Sequence, residues 1–98
     1  MGARKKESGP RGKVLLSGFN AAGEIVFKQS LSVVDYYEEL HPILDDNSLR
    51  KKQGIRILEG RIYDYDGHLD QQFKNEYDVD GAYVRGRAVH ADGTIIEN

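Results

Sequence analysis

Hydrophobic and polar residues alternate along most of the chain after residue 13, and short glycine-containing dipeptides interrupt this alternation. Four such dipeptides stand between alternating segments, and they are Ala22-Gly23, Asp66-Gly67, Asp80-Gly81 and Asp92-Gly93. Asp-Gly readily takes the positive φ angles that both central residues of a two-residue type I′ turn require. We therefore predict four tight turns, here called the first to the fourth turn in chain order, each joining two antiparallel strands.

The second and third turns make a joint prediction about Phe73. A two-residue turn fixes which residues stand opposite each other, and therefore which face of the sheet each side chain occupies. The second turn sets Phe73 opposite Gly60, and the third turn sets Phe73 opposite Ala88. Both turns place Phe73 on the apolar face, which predicts an antiparallel meander with Phe73 in its core.

The same counting assigns the other strand residues to faces. It pairs Tyr77 with Val84, and it pairs Glu76 with Arg85 as an opposite-charge pair on the other face. At the fourth turn it pairs Val89 with Ile96. The predicted apolar positions of the first two hairpins are Val14, Leu16, Ile25, Phe27, Leu31, Ile62 and Leu69.

One amphipathic helix is predicted between the second and third strands. Ser32 and Asp35 have the spacing of a capping box, with Asp in place of the usual Glu. Pro42 should end this helix near residue 40, because proline disfavours helical geometry at the preceding residue. A short second helix is predicted over residues 49–53, with Gly54 as its C-terminal cap. The apolar stripe of the first helix has the i, i+3, i+4, i+7 spacing, at Val33, Tyr36, Tyr37 and Leu40.

The apolar residues of the third strand cannot all point to one face, because some have odd and others even numbers; we call this the parity conflict. Ile55 and Ile57 have odd numbers, whereas Leu58 and Ile62 have even numbers, so a β-bulge near Glu59-Gly60 would be needed to reconcile them. The element order is then ββα(α)ββββ. This order predicts an α+β fold, an antiparallel meander sheet with one helix packed on a face. A half-open barrel is the alternative, since a long bulged strand could curl.

Composition limits the classes of protein to consider. The chain has 98 residues, enough for one domain, with 39% hydrophobic and 31% charged residues. No apolar run approaches the roughly 20 residues of a membrane-spanning helix. The absence of cysteine excludes disulfides and thiolate chemistry. Because small extracellular domains usually carry disulfides, we expect a cytoplasmic protein.

Charge is distributed unevenly between the N-terminal segment and the rest of the chain. Residues 1–13 hold five basic side chains and one acidic one, a net charge of +4, and the remaining 85 hold 9 basic and 15 acidic ones, a net charge of −6. We predict that residues 1–12 form a disordered basic arm and that 13–98 form a single domain. A basic segment suggests a polyanionic partner. The cations of residues 1–13, here called the arm cations, are Arg4, Lys5, Lys6, Arg11 and Lys13.

Catalytic and metal-binding motifs are not evident in the sequence. If Gly67 or Gly81 is placed at the glycine position of an EF-hand loop, the position of the last ligand falls on Phe73 or Arg87, and neither residue can bind calcium. The three histidines are scattered, and neither a phosphate-binding glycine loop nor a nucleophile elbow is present. We therefore expect a non-enzymatic protein without a cofactor or a bound metal.

Basic and aromatic residues share the predicted outer face of the sheet. This combination is typical of surfaces that bind nucleic acid, in which rings stack on bases and cations contact phosphates. The candidate binding residues are the arm cations together with Arg61, Tyr63, Tyr83, Arg85 and Arg87. The alternative is a protein-interaction or self-assembly module, which would use the Tyr-rich helix or exposed apolar residues such as Phe19, Val26, Val89 and Ile96.

Overall fold

A computed structural model describes residues 12–97 of the chain. The strands are β1 Lys13–Phe19, β2 Ile25–Ser32, β3 Ile57–Tyr63, β4 Leu69–Tyr77, β5 Tyr83–His90 and β6 Ile95–Glu97. The helical segments are α1 Val33–Asp35, a π-helical turn Tyr36–Leu40, α2 His41–Leu44 and α3 Asn47–Gln53. Gly12, the last residue of the predicted arm, has a carbonyl that accepts a hydrogen bond from the Val33 amide at 3.3 Å. The rest of that arm lies outside the described residues.

The six strands form one antiparallel sheet in the order β2-β1-β3-β4-β5-β6. Strands β3 to β6 follow one another as a meander. The connection from β2 to β3 carries the helices past β1, so that β1 lies between β2 and β3. The sheet is open, with β2 and β6 at its edges, so the half-open barrel alternative does not describe it. The α+β prediction is confirmed.

The predicted strand pairing is confirmed away from the turns. Phe73 stands opposite Gly60 on β3 and opposite Ala88 on β5, as the second and third turns predict. The Phe73 ring lies over Gly60, where a Cβ atom would collide with it, and it packs against the buried core while staying partly exposed. Glu76 stands opposite Arg85. Glycine at position 60 is therefore a steric requirement for the placement of Phe73.

The type of turn differs from the prediction. Among the described residues only glycines have positive φ, so the residue before each turn glycine is not in the type I′ conformation. At the second turn the Asp64 amide donates to the His68 carbonyl, and Gly67 has a φ of 89°. This is a three-residue loop with a left-handed glycine. The Asp64 carboxylate accepts the amides of Asp66 and His68, both at 2.9 Å, which stabilises this form.

The loops change the faces of the residues next to them. The residues next to each loop are one position out of the predicted register. In the first three hairpins a shift of one residue, within two residues of the loop, then restores the predicted pairing farther along the strands. Ile25 and Leu69, predicted on the apolar face, are instead 57% and 41% exposed. No shift follows the fourth turn, so Val89 pairs with Ile95 and the predicted pairing of Val89 with Ile96 is wrong.

The first helix begins as predicted but does not end at residue 40. The Ser32 hydroxyl accepts the Asp35 amide at 3.0 Å, which confirms the N-terminal cap. The chain then widens into the π-helical turn, whose closing bond runs from the His41 amide to the Tyr36 carbonyl. Pro42 follows in the first turn of α2, where no donor is required of it. Of the predicted stripe, Tyr37 is exposed.

The parity conflict around β3 is resolved without a bulge. Strand β3 pairs with β1 in one continuous register from Ile57 to Tyr63, so the predicted bulge at Glu59-Gly60 is wrong. Ile55 precedes the strand and is 1% exposed. Between Ile55 and the first residue of β3, Ile57, the Arg56 amide donates to the Phe19 carbonyl at 2.8 Å. The odd-numbered isoleucine reaches the core because it lies outside the ladder and does not follow its alternation.

The core lies between the helices and one face of the sheet, which we call the inner face. Its buried apolar residues are Val14, Leu16, Tyr36, Leu44, Ile55, Leu58, Ile62 and Tyr77. Helix α3 begins at Asn47, two residues before the predicted start, and the left-handed Gly54 ends it as predicted. Within the described residues no helix is long and apolar enough to cross a membrane.

Candidate nucleic-acid interface

The sheet face opposite the helices, which we call the outer face, carries two parallel rows of side chains. Strand register fixes both rows, because residues paired across neighbouring strands point to the same face. The charged row consists of Lys28, Ser17, Glu59, Lys74, Arg87 and Glu97, in the order of the strands from β2 to β6. The mixed row lies two residues along each strand and consists of Ser30, Leu15, Arg61, Gln72, Val89 and Ile95.

Two adjoining depressions occupy the middle of the outer face. One has a volume of about 350 Å³ and the other of about 360 Å³, and they share Glu59, Gly60 and Arg61 in their walls. The first extends over β4 and β5 to Lys74 and Arg87. The second extends over β1 and β2 and is lined by, among others, Leu15, Ser17 and Lys28. Together they form one shallow channel across five strands, the outer groove.

The outer groove is basic although the molecule is acidic. Its walls contain the cations Lys28, Arg61, Lys74 and Arg87 and the single carboxylate Glu59, a net charge of 4 − 1 = +3. Over residues 12–97 as a whole there are 10 basic and 15 acidic side chains, a net charge of −5. The other 14 carboxylates of residues 12–97 lie outside the groove walls, so the cations are concentrated where an anionic ligand could bind.

Ion pairs neutralise only part of this charge. Arg87 approaches Glu97 at 3.9 Å, and beside the groove Arg85 approaches Glu76 at 3.4 Å. Both pairs are solvent-exposed, so each stabilises the fold by no more than about 1 kcal/mol. In the part of the chain that the structure describes, Lys28, Arg61 and Lys74 have no ion-pair partner. These three cations can therefore bind an external anion without first breaking an internal pair.

The structure places the predicted binding residues in different parts of the molecule. Arg61 and Arg87 lie in the outer groove, and Arg85 lies beside it. Tyr63 lies on the outer face at the end of β3 and is half-buried, opposite the exposed Lys13 of β1. Four arm cations lie outside the described residues, and they are Arg4, Lys5, Lys6 and Arg11.

Tyr83 occupies the face opposite to the predicted one. The register shift after the third turn pairs it with Tyr77 of the core, and the two rings meet edge to face with centroids 6.2 Å apart. Its hydroxyl lies where a Cβ on the buried Gly86 would stand. The predicted pairing of Tyr77 with Val84 is therefore wrong. Tyr83 therefore cannot stack on a ligand in the outer groove.

Two groove cations, Lys28 and Lys74, are absent from the predicted binding residues. Lys74 has the parity of Gln72 and Glu76, so the strand alternation alone places it on the outer face. Lys28 also has outer-face parity, but it lines the same depression as Glu59 only because β1 lies between β2 and β3. Local sequence contains no signal for that order of strands.

Apart from the outer groove, polar groups also cluster around the buried Arg50, where they have a structural role. Arg50 is 4% exposed and donates hydrogen bonds to the Leu44 carbonyl, the Asn47 side chain and, at 3.0 Å, the Gly81 carbonyl. Its guanidinium lies 4.2 Å from the centre of the Tyr77 ring. The adjoining cavity, of only about 80 Å³, is lined by Tyr36 and Tyr77 among others, and burial raises the pKa of both phenols. Arg50 fastens the third turn to α2 and α3.

The acidic second turn brings three potential metal ligands together. One ligand atom each from Asp64, Asp66 and His68 lies within 4.8 Å of the others, and all three residues are solvent-accessible. The amide of His68 and, less strongly, that of Asp66 lower the pKa of the Asp64 carboxyl. Asn20 accepts the equivalent two amides at the first turn, without a charge. Turn formation therefore accounts for the Asp64 carboxylate.

The chain matches no protein-family model, no curated protein and no solved structure. The charge and shape of the outer groove therefore carry the functional argument.

Proposed function

We propose that this protein is a non-enzymatic module that binds nucleic acid through the phosphate backbone in the outer groove. The observation that carries the proposal is the collection of Lys28, Arg61, Lys74 and Arg87 in one concave surface of an acidic molecule. Clustered Lys and Arg on one face are the electrostatic feature of proteins that bind polyanions. The basic arm adds charge of the same sign.

The chemistry of the groove suits phosphate esters. Arginine presents a planar fork of donors that matches two phosphate oxygens, and lysine supplies a compact charge. Glu59 lies between the cations and repels a phosphate placed directly over it. Phosphates are therefore expected over the cations on either side of Glu59. With Tyr83 on the inner face, that ring cannot contribute stacking, and the phosphate contacts supply the sequence-independent part of the affinity.

A pair of matched double variants tests the proposal. Lys74→Ala with Arg87→Ala removes two charges from the groove, and Lys51→Ala with Lys52→Ala removes two charges from the exposed surface of α3. Binding to a fluorescein-labelled oligonucleotide should weaken about 10-fold or more in the groove variant at low salt. The slope of log affinity against log salt should flatten by about 1–1.5 for the two lost contacts.

The α3 variant distinguishes the loss of direct contacts in the groove from the general effect of removing two positive charges. Because it changes the net charge equally, it should lower affinity only slightly through long-range electrostatics. If both variants lose affinity alike, the groove has no specific role. If the parent protein binds no nucleic acid at low salt, the proposed function is wrong.

Self-association is a second candidate function, and the edge strand β6 favours it. Ile95 and Ile96 are each 50% exposed and point to opposite faces of this short edge strand. Exposed strand edges with apolar side chains can pair with another chain. Sedimentation velocity over a 100-fold concentration range, about 1–100 μM, would reveal this mode. Ile96→Lys should then shift the distribution to monomer, whereas nucleic-acid binding should be unchanged.

A further inference from the structure

We infer that the outer groove takes a single strand laid across the β-strands, with phosphates on the charged row and bases on the mixed row. The inference rests on the proposed function and specifies its ligand. It comes from a juxtaposition: a row with Lys28, Lys74 and Arg87 runs beside a row with Leu15 and Gln72. The charged row contains no apolar side chain, whereas the mixed row contains Leu15, Val89 and Ile95 with Arg61 as its one charged member.

The dimensions of the rows match a short stretch of single strand. Neighbouring strands are about 4.8 Å apart, so Lys28 on β2 and Arg87 on β5, four strand spacings apart, are separated by about 19 Å. The rows themselves are two residues, or about 6.7 Å, apart along each strand. This footprint suits about four nucleotides, at the short end of site sizes for small single-strand-binding folds.

The mixed row offers groups that recognise bases. Leu15 is 38% exposed and Val89 half-buried, and both present apolar surface to a base. The Gln72 amide carries a donor and an acceptor for a base edge, and the guanidinium plane of Arg61 can stack on a base. Arg61 contributes to both depressions, so it lies near the middle of the path.

A duplex could use only one of the two rows. In double-stranded nucleic acid the bases are paired and stacked inside, and phosphates form the outer surface. A shallow sheet groove meets that surface with its cations, while the apolar groups of the mixed row gain no partner. A single strand exposes its bases, so it can occupy both rows at once.

Three probes distinguish these modes. The full chain is titrated at low salt with a labelled 12-nucleotide single strand, with the same strand annealed to its complement, and with inorganic polyphosphate as competitor. The single strand should bind about 10-fold more tightly than the duplex, and polyphosphate should compete weakly. Equal affinity for all three probes would overturn the inference while leaving phosphate binding intact.

A matched pair of amide variants tests the base row directly. Gln72→Ala removes an exposed amide from the mixed row, and Gln53→Ala removes one from the end of α3, outside the groove. Gln72→Ala should reduce the preference for single strand about threefold or more with duplex affinity unchanged, and Gln53→Ala should leave both as in the parent. A preference that Gln72→Ala does not change overturns the inference. Absence of nucleic-acid binding by the parent overturns both the inference and the proposed function.

Discussion

At the residue scale, the charged side chain of Arg50 has a structural role, because it connects separate parts of the fold by hydrogen bonds. It is buried, and its acceptors belong to α2, α3 and the third turn. Each acceptor is a neutral oxygen, and the face of the Tyr77 ring stabilises the guanidinium from one side. Removal of such a side chain leaves several buried oxygens without a donor.

We predict that Arg50→Met lowers the free energy of unfolding by about 3 kcal/mol or more, since it leaves the Leu44 and Gly81 carbonyls unpaired. Urea-induced unfolding followed by circular dichroism measures the change. Lys52→Ala, at an exposed position of the same helix, is the control and should stay within about 0.5 kcal/mol of the parent. A similar loss in both variants would contradict a bracing role for Arg50.

Tyr36 stabilises the fold only as long as its phenol is protonated, so stability falls at high pH. Burial, and secondarily the nearby Tyr37 and Tyr77, raise the pKa of Tyr36 from 10.0 to about 12. The folded state therefore holds this proton more tightly than the unfolded state does. The resulting stability is complete below pH 10, the unfolded pKa, and is lost as the pH rises through the folded pKa.

We predict that stability falls by about 2–3 kcal/mol between pH 10 and pH 12 because of Tyr36. Tyr36→Phe should make this fall shallower, and the remainder should include the contribution of Tyr77, whose pKa burial also raises. Unfolding by urea at a series of pH values measures the slope. If the parent and Tyr36→Phe have parallel pH profiles, the phenol of Tyr36 does not titrate as described.

At the element scale, the hairpin loops share one local form but differ in their surroundings. Gly67 and Gly81 both have positive φ, 89° and 81°, in loops with the same backbone hydrogen bonds. No described atom lies within 4 Å of the position of a Cβ on Gly67, whereas a Cβ on Gly81 would collide with the Asn47 carbonyl of α3. One loop is free in solvent, and the other is docked on a helix.

This contrast makes the two glycines a matched pair. We predict that Gly67→Ala costs about 1–2 kcal/mol, the penalty for a left-handed alanine. Gly81→Ala should cost that amount plus about 1–3 kcal/mol, because the loop must move away from α3. Equilibrium unfolding of the two variants gives the difference, and equal costs would show that the third turn is not docked as described.

At the scale of the whole molecule, charge is divided between a basic groove, an acidic body and a basic arm. Residues 1–13 carry a net charge of +4 and residues 14–98 one of −6, and within the latter range the groove walls carry +3. The distribution is consistent with arm and groove contributing to the same polyanion site.

We predict that replacing Arg4, Lys5, Lys6 and Arg11 together by alanine weakens nucleic-acid binding and flattens its salt dependence. The slope should fall by about 0.7 for each phosphate contact that the arm makes with a single strand. Thermal unfolding measured in parallel should be unchanged. Unaltered affinity would assign all binding to the groove and leave the arm without a part in it.

The sequence predicted the elements and most of the strand pairing because the determinants are local. Glycine-containing turns set the register of Phe73 against two neighbours, and Ser32 and Gly54 mark helix ends by groups within a few residues. The candidate site was predicted in part for the same reason. Arg61 and Arg87 follow from strand alternation alone.

Tertiary structure decided the features that depend on contacts distant in sequence. The face of Tyr83 is an exception with a local cause: a three-residue loop in place of a two-residue turn shifts the register by one residue, and alternation reverses with every single-residue step. The placement of β1 between β2 and β3 brought Lys28 and Glu59 into the walls of one depression, and docking of the third turn on α3 buried Arg50. Such choices follow from how elements pack, and packing depends on shape complementarity across the whole core, which no local pattern encodes.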